Sequence, residues 1–157
     1  MMKQLTAGIA TVFIATAAAH AQCPEVGRPT EAFSIAEGFP IDPNRHTVTA
    51  GGDLELASCP DVPGVGWVTK LPDFVVNYRT RTGGPAHQTL TFRIDSSADT
   101  VLLINDPQQG WHYNDDSGNW LNAKLRFERA LPGRYDVWVG TRSAVPSRAT
   151  LVVTELE

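Results

Sequence analysis

The sequence predicts an all-β fold, and three observations lead to that prediction. Short runs of alternating apolar and polar residues recur from residue 46 onward, separated by Gly, Pro, Asn and Asp turn signals. No stretch of ten residues shows a convincing helical period. In the run 89–94, Leu90, Phe92 and Ile94 share one face, while Thr and Arg residues take the other. Because such alternation leaves each sheet one face in water, we expect an antiparallel β-sandwich.

The first 21 residues are expected to be a signal peptide that is cleaved. Lys3 precedes an apolar stretch over residues 6–19, and Ala19 and Ala21 satisfy the small-x-small rule for cleavage. The stretch is shorter than the ~18 to 20 residues that span a bilayer. Removing 21 of the 157 residues leaves 136, and removing Lys3 changes the net charge from −4 to −5. The mature protein is therefore expected in the periplasm or outside the cell.

The mature chain is expected to consist of an extended arm, residues 22–45, and a sandwich domain, residues 46–157. Prolines and glycines are dense in the arm, which disfavours helices and central strands. Tyr135 follows the turn at 131–133 and resembles the tyrosine corner of Greek-key sandwiches, although a plain core tyrosine fits equally well. About eight strands are expected, over residues 47–50, 53–57, 74–80, 89–94, 100–105, 123–129, 134–140 and 149–155.

Composition excludes several classes of function. The mature chain is mildly acidic and has no basic cluster along the sequence, so nucleic acid is not an expected partner. It has no amphipathic basic helix, so no membrane insertion is expected after signal cleavage. The chain is also too short for a two-barrel protease or a (β/α)₈ barrel. These limits favour a single exported domain.

The two cysteines, Cys23 and Cys59, both lie in the part expected to be exported. An oxidising compartment permits one disulfide bond between them, which would tie the mature N-terminus to the body of the domain. The alternative is a pair of free thiols.

Residues 95–122 form the segment densest in side-chain oxygen atoms, which makes it a candidate calcium site. Calcium takes six to eight oxygen ligands, but the spacing here is not that of an EF-hand. The alternative is a pair of turns, because Asp-Pro at 106–107 and Asp-Ser-Gly at 116–118 are favourable turn sequences. The Asp and Asn residues of the segment are Asp95, Asp99, Asn105, Asp106, Asn114, Asp115, Asp116, Asn119 and Asn122.

Three aromatic residues, Trp111, Tyr113 and Trp120, flank the same acidic loop and are the predicted ligand-binding residues. Exposed aromatic rings beside Asp and Asn side chains can hold sugars or peptides. The alternative is that these rings cap the edge of the sandwich.

No catalytic residue is predicted. Asp116-Ser117-Gly118 resembles the sequence around a chymotrypsin-type nucleophile, but Asp115 and Asn119 replace the flanking glycines. The mature histidines, His46, His87 and His112, lack the spacing of a zinc site. The alternative function is a small secreted serine peptidase or hydrolase that uses Ser117.

Four segments occur in the order seen in a known domain family: residues 99–107 (DTVLLINDP), 110–111 (GW), 114–116 (NDD) and 133–140 (GRYDVWVG). Together they resemble the bacterial pre-peptidase C-terminal (PPC-like) β-sandwich domain. Shorter matches, such as Gly66-Trp67-Val68, are similar to small exported proteins built around that domain, which are sometimes labelled peptidases. The resemblance covers roughly residues 36–155.

The resemblance implies a jelly-roll-like sandwich that is itself non-catalytic and that in some members binds calcium and extracellular polymers. Relatives often have a cysteine within the segment matching 111–116, and this chain has none there, so Cys59 would pair with Cys23 or stay free. The implied function is a binding or stabilising module whose partner is an extracellular polymer or another exported protein. The implied calcium ligands are Asp106, Asn114, Asp115 and Asp116, with Asp99 added for its proximity.

Overall fold

The structure is a computed structural model that describes residues 22–117 and 121–157. It is all-β, with eleven strands and a single turn of 3-10 helix at Leu56–Ser58 among the described residues. The predicted fold class is therefore confirmed. The signal peptide predicted at 1–21 lies outside the described residues. The strands are β1 Glu31–Ala36, β2 Asn44–Ala50, β3 Leu54–Glu55, β4 Trp67–Val68, β5 Phe74–Arg79, β6 Leu90–Ser96, β7 Thr100–Asn105, β8 Trp111–Asn114, β9 Lys124–Phe127, β10 Gly133–Thr141 and β11 Ser147–Thr154.

The strands form two sheets that pack face to face. The larger sheet has seven strands, with β10 at its centre between β5 and β7. Beyond β5 lies β1, and beyond β7 lies β8, while the short strands β4 and β3 extend the sheet beside the end of β10. The smaller sheet has the order β2-β11-β6-β9. Among the described residues, no helix is long and apolar enough to cross a membrane.

The main core lies between the two sheets and is built from the alternating apolar positions that the sequence shows. Phe92, Ile94 and Leu151 of the smaller sheet pack here together with Leu102 and Val137 of the larger one. All five side chains are almost completely removed from water. Burial of this apolar surface is the dominant favourable contribution to folding.

A second core covers the other face of the larger sheet, so the expectation that each sheet has one wet face is wrong for this sheet. Val101, Leu103 and Trp138 point away from the main core and are fully buried under the chain between β3 and β5. Strands that are buried on both faces have near-continuous apolar sequences, and β7 is such a strand, with four successive apolar residues at 101–104. Residues 56–68, which cover this face, supply Leu56 and Val68 to it.

The predicted disulfide bond between Cys23 and Cys59 is confirmed. It attaches the start of the described chain to the second core, in which Cys59 is buried. The segment predicted as an extended arm is also part of a sheet, because its residues 31–36 form β1. This strand pairs with β5 in parallel register, Phe33 opposite Val76, whereas all the other strand pairs in the described chain are antiparallel.

Tyr135 stands at the start of β10 and is almost completely buried. Its hydroxyl donates to the backbone carbonyl of Leu131 at 2.8 Å. The bond fixes the turn at 131–133 against the strand that follows it, which is the arrangement of a tyrosine corner.

Candidate functional site

The residues singled out from the sequence lie on and around the β7–β8 hairpin. The register places Asn105 opposite Trp111 near the turn and Leu102 opposite Asn114 at the open end. At about 3.3 Å per residue, these two pairs, three residues apart along each strand, are separated by about 10 Å. The residues predicted to form one calcium site therefore lie at opposite ends of the β7–β8 hairpin.

Asp106 lies at the turn of the hairpin, and both oxygens of its carboxylate are hydrogen-bonded there. One oxygen accepts the backbone N–H groups of Gln108 and Gly110 at 2.9 and 2.8 Å, and the other lies 2.8 Å from His112 Nε2. Burial raises the pKa of Asp106, but the hydrogen bonds from His112 and the two backbone groups outweigh it, so the pKa lies below its usual value. Asp106 therefore stabilises the turn, and the structure does not bring it together with the other predicted calcium ligands.

Asp99, Asp115 and Asp116 gather at the opposite, open end of the hairpin. Burial raises the pKa of Asp99, the negative charges of Asp116 and Asp115 raise it further, and Arg142 lowers it. Arg142 Nε lies 4.0 Å from Asp115 Oδ2. Sequence reasoning missed Arg142, because the turn between β10 and β11 that carries it is distant along the chain. We call Asp99, Asp115 and Asp116 the acidic end.

One carboxylate oxygen of the acidic end has no partner among the described residues. Asp99 Oδ1 is removed from solvent and makes no hydrogen bond to any residue that the structure describes. Leaving a buried acceptor unsatisfied costs about 1–3 kcal/mol, and a bound ion is one explanation for such a group in a folded protein. Within the residues that the structure describes, however, no three His, Cys, Asp or Glu side chains are arranged to hold a metal ion.

Asn114 and Ser117 are occupied by bonds within the loop. Asn114 Oδ1 accepts the backbone N–H of Lys124 at 2.9 Å and the hydroxyl of Ser117 at 3.3 Å. These bonds join the end of β8 in the larger sheet to Ser117 and to the start of β9 in the smaller sheet. Asn114 is thus a structural residue that secures the connection to β9.

Two of the histidines that could have served Ser117 as a general base, His112 and His46, have their rings engaged elsewhere. His112 pairs with Asp106 at the far end of the hairpin. The ring of His46 lies between Glu31 and Asn44 at the boundary of the two sheets, and the backbone N–H of His87 donates to Glu37. Among the described residues, no imidazole is hydrogen-bonded to the Ser117 hydroxyl.

Trp111 and Tyr113 are partly buried and packed against the second core, as the edge-capping alternative describes. The Trp111 ring lies 5.3 Å from the Trp138 ring, centroid to centroid. Tyr113 donates its hydroxyl to the backbone carbonyl of Val65 at 2.8 Å, and burial raises its pKa to about 12. Trp120, the third predicted ligand-binding residue, lies outside the described residues.

No protein-family model matches the chain, and no curated protein matches it. The solved structures that it resembles include the pre-peptidase C-terminal domain of a collagenase from Bacillus anthracis, with 15% identity, a TM-score of 0.44, and coverage of 82% of this chain and 99% of that one. A mitogen from Yersinia pseudotuberculosis has 20% identity and a TM-score of 0.40, with 72% and 85% covered. A periplasmic inhibitor of g-type lysozyme from Aeromonas hydrophila has 14% identity and a TM-score of 0.39, with 79% and 96% covered. The first of these is the domain type that the sequence resembles.

Proposed function

We propose that this protein is an exported, non-catalytic module that binds or stabilises an extracellular polymer or another exported protein, with the acidic end as its functional surface. The observation that carries the proposal is the buried oxygen of Asp99, which has no hydrogen-bond partner within residues 22–117 and 121–157 and lies beside two further carboxylates. A ligand that supplies positive charge would satisfy that oxygen and relieve the repulsion among the three side chains. The disulfide bond fits a protein that works in an oxidising compartment.

Calcium is the cation that we propose for the acidic end. Carboxylate oxygens are hard ligands of the kind that calcium prefers. The fit is limited to Asp99, Asp115 and Asp116, because Asp106 lies at the other end of the hairpin and Asn114 already accepts two hydrogen bonds. Since no ready-made group of three ligands exists among the described residues, binding requires these side chains to move toward one another.

Thermal unfolding with and without calcium tests this proposal. We expect calcium, but not magnesium, to raise the melting temperature of EDTA-treated protein, because an ion that binds only the folded state stabilises it. Asp99→Asn should abolish the rise. Asp106→Asn is the matched control: it should lower the melting temperature by weakening the turn but keep the response to calcium. An unchanged melting temperature in calcium would contradict the assignment.

The alternative, a hydrolase that uses Ser117, predicts a different result. Purified protein would turn over peptide or ester substrates, and Ser117→Ala would abolish that activity. We expect no turnover from either protein, because the Ser117 hydroxyl is bonded to Asn114 rather than to a base. Turnover that disappears in Ser117→Ala would overturn the non-catalytic assignment.

A further inference from the structure

The outer face of the smaller sheet carries a group of basic side chains that the sequence alone does not reveal. The register places Arg45 of β2, Arg93 of β6 and Lys124 of β9 in one row across the sheet, with Val152 of β11 between the first two. Neighbouring strands lie about 4.8 Å apart, so Arg45 and Arg93 are about 10 Å apart at the backbone. We call the outward side of this sheet the basic face.

Charge is distributed unevenly between this face and the rest of the molecule. The face carries five Lys and Arg side chains and three carboxylates, Asp95, Glu128 and Glu157. The chain has 13 Lys and Arg and 17 Asp and Glu, and Lys3 lies outside the described residues. Seven cations and fourteen carboxylates therefore remain elsewhere. A face with a positive surplus on an otherwise acidic protein selects for an acidic partner.

Two carboxylates of the chain already show what this face binds. Asp95 bridges Arg45 and Arg93, with 2.8 Å between Arg45 Nη1 and Asp95 Oδ2. Glu157 bridges Arg93 and Lys124 at 3.0 and 3.3 Å. Its backbone carbonyl also accepts the hydroxyl of Thr91 at 3.2 Å. An acidic residue is thus held here by both its side chain and its main chain, as a bound peptide would be.

Part of the basic face remains open. Arg148 of β11 is exposed, and among the described residues it has no ion pair. It borders a surface groove of about 370 Å³ together with Thr47, Val48 and Thr49. Arg45 also keeps about half of its side chain exposed. Acidic side chains of a partner can reach both arginines without displacing any part of this protein.

We propose that the basic face docks an acidic peptide segment of a partner protein. Carboxylates would pair with Arg45 and Arg148, and a further carboxylate would compete with Glu157 for Arg93 and Lys124. Among the described residues of its four strands, the register puts no aromatic side chain on this face, so stacking of nucleic-acid bases or sugar rings is not supported by these strands. The hydrogen bond from the Thr91 hydroxyl to the backbone carbonyl of Glu157 is a main-chain contact that a bound peptide can reproduce. None of these residues belongs to the acidic end, so the proposal stands apart from calcium binding.

Fluorescence anisotropy with a fluorescein-labelled deca-glutamate peptide tests the proposal, with deca-glutamine as the control peptide. We expect salt-sensitive binding of deca-glutamate only. Arg45→Gln and Arg148→Gln should each weaken it about 2- to 5-fold, as expected for exposed ion pairs. Glu157→Gln should tighten it by a similar factor, because it removes the internal competitor. Arg79→Gln, which removes an exposed arginine from the larger sheet, should leave the affinity unchanged.

Circular dichroism of each variant separates loss of binding from loss of folding. The proposal is overturned by a wild-type protein that does not bind deca-glutamate, by equal weakening in Arg79→Gln, or by unchanged affinity in Glu157→Gln. Preferential binding of polygalacturonate or of a DNA oligonucleotide over the peptide also overturns it. An Asp99→Asn variant that loses the calcium response but keeps peptide binding would support it and would show that the two sites are independent.

Discussion

Asp73 is a buried carboxyl group whose ionisation affects the stability of the whole domain. It is 5% exposed, and one of its oxygens accepts the backbone N–H of Val139 at 2.8 Å. Burial raises its pKa from 3.8 to about 7, although the bond from Val139 lowers it in part. Because the folded state holds the proton more tightly than the unfolded state, the contribution of Asp73 to stability is fully present below about pH 4. It is lost as the pH rises to about 7.

The Asp73→Asn variant isolates this contribution. Relative to the wild type, it should gain stability as the pH rises from 4 to 7, by up to about 4 kcal/mol, since each pKa unit corresponds to about 1.4 kcal/mol. Guanidinium unfolding of both proteins at several pH values measures the difference. A stability difference that stays constant over this range would show that Asp73 is ionised in the folded protein throughout.

Individual site residues could be predicted from the sequence when their role was local or when the chain offered one possible partner. Cys23 and Cys59 were predictable because the chain offers one pair. The sequence predicted Asp106 both as a calcium ligand and as a turn residue. Its hydrogen bonds to the backbone of the turn favour the second role. The bridging of Arg93 and Lys124 by Glu157 was not predictable, because it depends on the strand register. Glu157 is 64 positions from Arg93 and 33 positions from Lys124 along the chain.

At the level of elements, each of the eight predicted strands has a counterpart, although the one predicted at 53–57 is reduced to Leu54–Glu55 before the 3-10 turn at Leu56–Ser58. Three further strands were missed for physical reasons. The residues of β1 lie between Pro29 and Pro40, and the overall proline density hid a proline-free run that pairs with β5. β8 has only four residues, so the alternation of Trp111 and Tyr113 with His112 and Asn114 is too short to show a strand period, and its side chains are only half-buried. The two residues of β4 are too few to show a period.

Position 52, between β2 and β3, requires glycine because the backbone of β4 passes close to it. A Cβ atom placed on it would lie 2.2 Å from the backbone carbonyl of Val68, which cannot move without shifting β4. We expect Gly52→Ala to destabilise the protein by about 1–3 kcal/mol in chemical unfolding. Gly84→Ala is the control, since its nearest neighbour would be 3.7 Å away, and it should change stability by less than about 0.5 kcal/mol. Equal effects of the two substitutions would contradict this account of Gly52.

For the whole molecule, the disulfide bond secures the covering layer of the second core. Cys23 and Cys59 are 36 positions apart, and the chain-entropy model gives such a cross-link about 3 to 4 kcal/mol. The double variant Cys23→Ser/Cys59→Ser should lose about this much stability, measured by the shift in guanidinium midpoint. Wild-type protein in excess reductant should show the same shift. A loss below about 1 kcal/mol would mean that the packing of residues 22–30 on the domain does not depend on the covalent bond.

The position of β11 in the sequence sets the order in which the two sheets can be completed during synthesis. All strands of the larger sheet precede residue 142, whereas the smaller sheet is organised around β11, which pairs with both β2 and β6. A nascent chain that ends before Ser147 can pair every strand of the larger sheet but leaves β2 without a partner. Unpaired strand edges invite association with other chains. The protein is therefore most exposed to aggregation before β11 emerges. The basic face forms only after that, because β11 carries Arg148 and joins β2 to β6.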